Sequence, residues 1–316
     1  MLIAAKNVET MEHPGVRSGV QTNILKVLAY FDIFQYPLTV AEIRQYLGSQ
    51  LEENDFGQAL QGLISDQVIF YHQGYYSLQD NTLLTYRRRE GNWRAGKLLP
   101  KAFKIGRFLF RFPYVRGVCI SGSLSKNFAD ENADIDFFII TRTNRLWITR
   151  TLMHLFKKLT FLTGHQHYFC MNYYIDEDAL LISEQNIYTA LEIATLIPVA
   201  GKQTNENFFR SNNWVARFFP ACRNAYPSPG PDFSTGLKSF VERLLSGRFS
   251  DRLDRWLMNI TTRRWAKKSR QNRLNKNGQA MKLLTGRHFS KSNPGSFQER
   301  VLSLYEQKLA ELGIER

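Results

Sequence analysis

Val118-Cys119-Ile120-Ser121-Gly122-Ser123 is an apolar strand running into a small-residue turn, and Asp134-Ile135-Asp136-Phe137-Phe138-Ile139-Ile140 opens the next strand. Residues two apart on a strand point to the same face, about 6.5–7 Å apart. The spacing therefore aims Asp134 and Asp136 at one spot. Two carboxylates held that close repel each other unless a cation lies between them. Oxygen ligands of this kind suit Mg²⁺ or Mn²⁺, held by one or two carboxylates together with substrate phosphates. Gly122-Ser123 complements them, because a turn leading into a helix presents free backbone N–H groups to phosphate. A carboxylate pair facing a phosphate cradle implies phosphoryl or nucleotidyl transfer.

The run Gly122-Ser123-Leu124-Ser125-Lys126-Asn127, followed by Asp134-Ile135-Asp136-Phe137-Phe138-Ile139, resembles the signature of the DNA polymerase beta-like nucleotidyltransferase superfamily. The whole chain more loosely resembles bacterial proteins that join a winged-helix segment to such a domain. The resemblance covers about residues 115–200. It implies that Gly122, Ser123 and nearby amides hold the outer phosphates of a nucleoside triphosphate, and that Lys126 touches them. It also implies that Asp134 and Asp136 hold divalent ions. The activity implied is Mg²⁺-dependent transfer of a nucleoside monophosphate to an acceptor hydroxyl, releasing pyrophosphate. The superfamily places a third carboxylate on a neighbouring strand, as base and metal ligand. Here the corresponding segment is Tyr168-Phe169-Cys170-Met171-Asn172-Tyr173-Tyr174-Ile175, whose inward polar residue is Asn172. An amide oxygen can ligate a hard cation but cannot take a proton as a carboxylate does. Asp176, Glu177, Asp178 and Glu192 follow and are the other acids that could swing in, though their simplest role is loop or N-cap chemistry about the next helix. Two further readings stand beside the enzyme: a catalytically silent nucleotide-binding adaptor docking through its winged helix, and an RNA-binding protein using the basic C-terminal region. The acceptor stays open among small molecules, proteins and RNA.

Composition bounds the remaining possibilities. The chain has 316 residues, 43% of them hydrophobic, enough for two or three small domains. With 42 Lys and Arg against 28 Asp and Glu, its net charge is +14, which draws polyanions such as nucleotides, RNA and anionic lipid headgroups. Cys119, Cys170 and Cys222 lack metal-ligand spacing and read as free thiols of a reducing compartment. No apolar run is long enough to span a bilayer. The expectation is a soluble cytoplasmic protein with no membrane partner. Scattered histidines form no zinc constellation, although His165 and His167 alternate before a strand.

Residues 1–18 show no sustained period and read as a flexible N-terminus. Over residues 19–82, Ile24, Leu25, Val27, Leu28 and Phe31 mark a first helix, and Thr39 caps a second. A third spans Asp55–Ile64, and Val68–Tyr71 and Tyr75–Leu78 form a hairpin about Gln73-Gly74. Three helices and a hairpin are the layout of a winged helix. The third helix begins with Glu52-Glu53-Asn54-Asp55, whose carboxylates oppose phosphate, so duplex DNA binding is not expected. Residues 83–204 hold the core, entered by a basic helix carrying Arg87, Arg88, Arg89, Arg94, Lys97, Lys101, Lys104 and Arg107, some of which are expected at the mouth of the site. Arg150 lies one turn into the helix after the Asp-x-Asp strand and is a candidate phosphate contact. Thr189–Val199 reads as a helix ended by Pro198. Residues 205–316 read as a C-terminal helical region, beginning with a linker about Pro227, Pro229, Gly230 and Pro231 and carrying the basic run Arg263–Lys276. The fold class expected is mixed α/β or α+β: a nucleotidyltransferase core with a mixed β-sheet, an N-terminal winged-helix module and this helical region.

Overall fold

The computed structural model describes residues 17–48, 53–131, 133–160, 162, 164, 168–222, 236–271, 283–292 and 296–314. Most of the N-terminal segment, Glu52, the His165/His167 pair, the Pro227–Pro231 linker and the end of the basic run after 271 lie outside them. Within them the chain is a mixed α+β protein.

The elements start where the side chains dictate. Helix α1 (Gly19–Asp32) is closed by a capping box between Ser18 and Gln21, and α2 (Val40–Gln45) by one between Thr39 and Glu42. After α3 (Glu53–Ser65), strands β1 (Phe70–His72) and β2 (Tyr75–Ser77) pair antiparallel around Gln73 and Gly74. Both turn residues have positive φ, the geometry that matches the twist of a two-residue hairpin. Helix α4 (Thr82–Leu109) leads to β3 (Val115–Ser121), the short α5 (Gly122–Ser125) and β4 (Asp136–Thr141). Then follow α6 (Leu146–Thr160), β5 (Cys170–Asp176), α7 (Ile187–Ala194), β6 (Ile197–Ala200) and α8 (Lys202–Ser211). The chain closes with α9 (Gly236–Leu244), α10 (Arg248–Arg270), β7 (Leu283–Thr285), β8 (Phe289–Ser292) and α11 (Phe297–Glu311).

Among the described residues, six strands form one sheet in the order β6-β3-β4-β5-β8-β7, in which only β4 and β5 run parallel. Strand β4 is apolar on both faces because both are covered. Phe138 and Ile140 face the side packed by α1, α7, α8 and α11, while Phe137 and Ile139 face α4 and α6. The apolar cluster of α1 continues without a break into α7, α11 and the sheet.

Three expectations change here. The C-terminal region is not wholly helical: β8 pairs with β5, and β7 with β8, extending the sheet. The helix expected over Thr189–Val199 stops at Ala194, and Pro198 lies in β6, opposite Cys119 of β3. A proline, lacking a donor, is tolerated there because β6 is an edge strand. Strand β4 begins at Asp136, so Asp134 precedes the strand, in the loop.

Candidate functional site

Ser121 closes β3 opposite Asp136, the first residue of β4. The chain then turns through Gly122 at φ +70°, and a Cβ there would come within 2.6 Å of Asp136 Oδ2. Only glycine lets the turn approach that carboxylate so closely. Cys170 of β5 pairs with Asp136, and two residues on the Asn172 amide donates to Asp136 Oδ1 at 2.6 Å. The Cys170 thiol donates in turn to Asn172 Oδ1 at 3.3 Å. The structure thus brings Ser121, Gly122, Asp136 and Asn172 to one end of the central strands.

The Asp136 carboxyl is pushed up to about 7, chiefly by burial, with the Asp134 and Glu192 charges adding to the rise. The neighbouring Cys170 thiol and the charge of Lys157 oppose it. Burial thus outweighs the opposing pull of Lys157 on an ionised Asp136. Asp134 is exposed, and Ser123 is exposed at the turn. Lys126 curls back over the turn, donating to the Gly122 carbonyl at 3.1 Å and to Glu192 Oε1 at 2.9 Å. Its ammonium is shared with a carboxylate of α7.

These groups form the polar end of a cavity of about 600 Å³. Ser121, Gly122, Ser123, Lys126, Asp136, Asn172 and Glu192 line it, whereas Asp134 and Arg150 do not. The rest of the wall is largely aromatic, with Tyr30, Phe31 and Phe34 from α1 and its end, Phe138 and Tyr173 from the sheet, and Tyr188 from α7. Two hydroxyls on this wall, Tyr30 Oη and Thr189 Oγ1, are buried and make no hydrogen bond among the described residues. Burial holds the Tyr30 phenol protonated, well above its ordinary range, so it is a donor awaiting an acceptor. The sequence reading missed both; the one signal was a hydroxyl on an otherwise apolar helix face. Of the basic residues of α4, Arg87 reaches the cavity, donating to the Phe34 and Gln35 carbonyls at 3.0 and 3.2 Å.

Two candidates lie elsewhere. Arg150 is buried on the opposite face of the sheet, its guanidinium 5.6 Å from the Trp147 ring, and burial lowers its proton affinity. Trp147 belongs to the layer packed on Phe137 and Ile139, so Arg150 does not face the Gly122 turn. Asp176 ends β5, pairing with Thr141 at the far end of β4 from Asp136. It is fully buried, accepting from the Asn144 and Asp178 backbone N–H groups and contacting His288 Nδ1 at 2.9 Å. Asp176, Asp178 and His288 lie close enough to share a metal ion, but Asp176 is already satisfied as an anchor for two loops and β8. Since β4 and β5 are parallel, an acid at the end of β5 cannot serve a site at the start of β4. Among the neighbouring acids named from the sequence, Glu192 is the one on the cavity wall.

The chain matches no family model, no curated protein and no solved structure.

Proposed function

We propose that this protein is a divalent-cation-dependent nucleotidyltransferase that modifies a small, largely apolar acceptor. The observation that carries the reading is the meeting of Asp136 and Asn172 with the Ser121–Ser123 turn on the wall of one cavity. The oxygens of Asp134, Asp136 and Asn172 are hard ligands of the kind Mg²⁺ or Mn²⁺ takes, and a buried carboxylate pushed up by desolvation suits a cation at that spot. When bound, the ion supplies positive charge to the triphosphate. Ser123 and the amides of the turn hold phosphate oxygens, and Lys126 gives them a cation that it otherwise shares with Glu192.

The acceptor fills the aromatic part of the cavity and takes hydrogen bonds from Tyr30 and Thr189. A concave wall of this largely aromatic composition suits a small molecule better than a nucleic acid strand. In the reaction the acceptor oxygen bonds the α-phosphorus, the bond to the bridging oxygen breaks, and pyrophosphate leaves. Glu192 takes the acceptor's proton, the role that an amide at Asn172 cannot fill. On this reading β3 to β6 with their helices are the nucleotidyltransferase core. The three helices and hairpin before α4 are a winged-helix-like module turned to walling the cavity.

Asn172 itself favours a second reading, a nucleotide-binding adaptor without catalysis, since it stands where the superfamily resemblance implies a carboxylate. One experiment separates the two. The protein is incubated with Mg²⁺ or Mn²⁺, each α-labelled nucleoside triphosphate and a small-molecule extract, beside Asp136→Asn and Glu192→Gln. The proposal expects label transferred to a small molecule by the wild type and lost in both variants. Metal-dependent binding without transfer identifies the adaptor, and no triphosphate binding by calorimetry overturns both.

A further inference from the structure

Helices α9 and α10 are built inside out. On α9 the polar residues face the protein: Lys238 Nζ donates to the Phe110 and Val115 carbonyls at 2.8 and 2.7 Å, and Glu242 pairs with Arg116 at 2.7 Å and accepts from the Tyr114 backbone N–H at 2.7 Å. On α10 the acids face inward too: Asp251 pairs with Arg145, and Asp254 accepts from the Ile148 backbone N–H at 2.9 Å. The large apolar side chains take the outward faces, with Leu237, Phe240 and Leu244 of α9 exposed by 73, 63 and 72%, and Phe249 and Trp256 of α10 by 69 and 58%. Scattered exposed apolar residues are ordinary, but a run of five along two successive helices marks a surface that meets something.

The charges say what. Glu242, Asp251 and Asp254 are the only acids in α9 and α10, and all three are engaged inward. Arg243, Arg248, Arg252, Arg255, Arg263 and Lys267 are exposed on the outer sides of these helices. At helical spacing Phe249, Arg252, Trp256, Arg263 and Lys267 fall on one stripe of α10. Leucine, phenylalanine and tryptophan set among cations are the composition of an interfacial helix, whose apolar side chains enter the acyl boundary while the cations meet headgroup phosphates. A second copy would bring like charges together across the same face. Single-stranded RNA would satisfy the arginines, but it binds by stacking bases on rings, which Leu237 and Leu244 cannot provide. We infer that the outward faces of α9 and α10 dock the protein on an anionic membrane surface, independently of what the cavity binds. This revises the expectation of no membrane partner. Docking is peripheral, for no helix among the described residues is long and apolar enough to cross a membrane.

The test is co-sedimentation of the full chain with vesicles of phosphatidylcholine alone and of phosphatidylcholine with phosphatidylglycerol, at low and raised salt. Wild type is compared with the triple variant Leu237→Ser/Phe240→Ser/Leu244→Ser and with Arg252→Glu/Arg263→Glu. Thermal melting checks that each variant is folded, the outcome expected for outward positions. The expected result is binding to the anionic vesicles only, weakened by salt. The triple variant should lose roughly a hundredfold in affinity or more, and the charge variant a similar amount. Failure to bind anionic vesicles, or equal binding by the folded triple variant, overturns the inference. So does an oligouridylate strand bound without vesicle binding, which makes the face an RNA surface. A dimer that only the triple variant dissociates, again without vesicle binding, also overturns it in favour of a contact between copies.

Discussion

The side-chain amide of Asn172 donates to Oδ1 of Asp136 across 2.6 Å, joining the starts of the two parallel strands of the sheet. The bond places a neutral group against a carboxylate that burial already pushes up to about 7. In place of a second negative charge, which would raise the carboxyl further, the neighbouring strand offers a donor. The site therefore tolerates an ionised Asp136 without metal better than a triad of carboxylates would, and it is correspondingly less demanding of metal.

Replacing Asn172 by Asp should reverse that balance. With two carboxylates facing each other, the metal-free protein should melt at lower temperature, and Mg²⁺ should restore the loss. Affinity for the Mg²⁺–triphosphate complex should rise by roughly tenfold, about 1.4 kcal/mol. Calorimetry with and without Mg²⁺ checks this; an unchanged affinity would show that Asn172 does not face the ion.

Asp136→Asn tests the same carboxylate through pH. Its folded pKa, about 7, exceeds the ordinary carboxylate value, so the folded state holds a proton that the unfolded chain releases. The associated stability is fully present below about pH 4, and is lost as pH rises through about 7. Wild type should therefore lose melting temperature between pH 5 and 8 in the absence of metal by more than Asp136→Asn does. Mg²⁺ at pH 8 should stabilise wild type and leave the variant unmoved. Parallel pH profiles for the two proteins would show that Asp136 ionises freely in solvent.

Gly122→Ala probes the turn. Its φ is +70°, and the added methyl would lie 2.6 Å from Asp136 Oδ2, with 3.2 Å to the Asp136 Cβ. Strain of this kind costs about 1–3 kcal/mol. Because the contact is with the carboxylate itself, metal-dependent nucleotide binding should suffer more than stability. A variant that binds as wild type does would place the nucleotide away from this turn.

Glu192→Gln frees the Lys126 ammonium from the carboxylate 2.9 Å away. If Glu192 takes the acceptor's proton, transfer should fall on the order of a hundredfold or more. Triphosphate affinity should hold or rise, because Lys126 then has the phosphates to itself. A parallel loss of affinity and rate would instead mean that Glu192 acts by positioning Lys126.

Much of this was legible residue by residue. Thr39 carries its capping box in plain sight, Gln73-Gly74 marks a hairpin, and the unbroken apolar run after Asp136 announces a strand, whereas Ser18, expected in the flexible N-terminus, caps α1. Short strands were not legible. Leu283–Thr285 and Phe289–Ser292 are too brief to show alternation, and Ile197–Ala200 contains a proline that reads as a stop. Their strand character comes from pairing with distant partners, which local pattern does not encode. The site followed the same division. Asp136, Gly122, Ser123, Lys126 and Asn172 are near one another in sequence or in register, whereas Tyr30 reaches the cavity through tertiary packing of α1. Arg150 falls elsewhere for want of direction, since sequence spacing does not say which face of the sheet a side chain will serve, whereas Asp176 takes the loop-anchoring role that is simplest for it.

A buried arginine holds the N-terminal helices to the rest of the protein. Arg88 of α4 is buried to 2% exposure, with its guanidinium 3.7 Å over the Tyr36 ring. It donates to the Pro37 carbonyl at 3.1 Å and to Asn92 at 2.7 Å, and pairs with Glu42 of α2. Tyr36 in turn meets Phe31 and Phe128, each at 5.7 Å between ring centres, so the aromatic chain runs from α1 to the loop after α5. Lys308 of α11 pairs with Asp32 at the end of α1 and closes the other side. The first three helices thus share one core with the sheet and should not melt separately. Arg88→Met leaves Glu42 without its buried partner and removes the clamp, a loss of about 3–5 kcal/mol. Calorimetry should show a single unfolding transition in both proteins, shifted down on the order of 10 °C in the variant. A separate low-temperature transition confined to the N-terminal helices, with the sheet's transition unmoved, would show an independent module, and the cavity wall that Tyr30 and Phe34 provide would then be optional to the site.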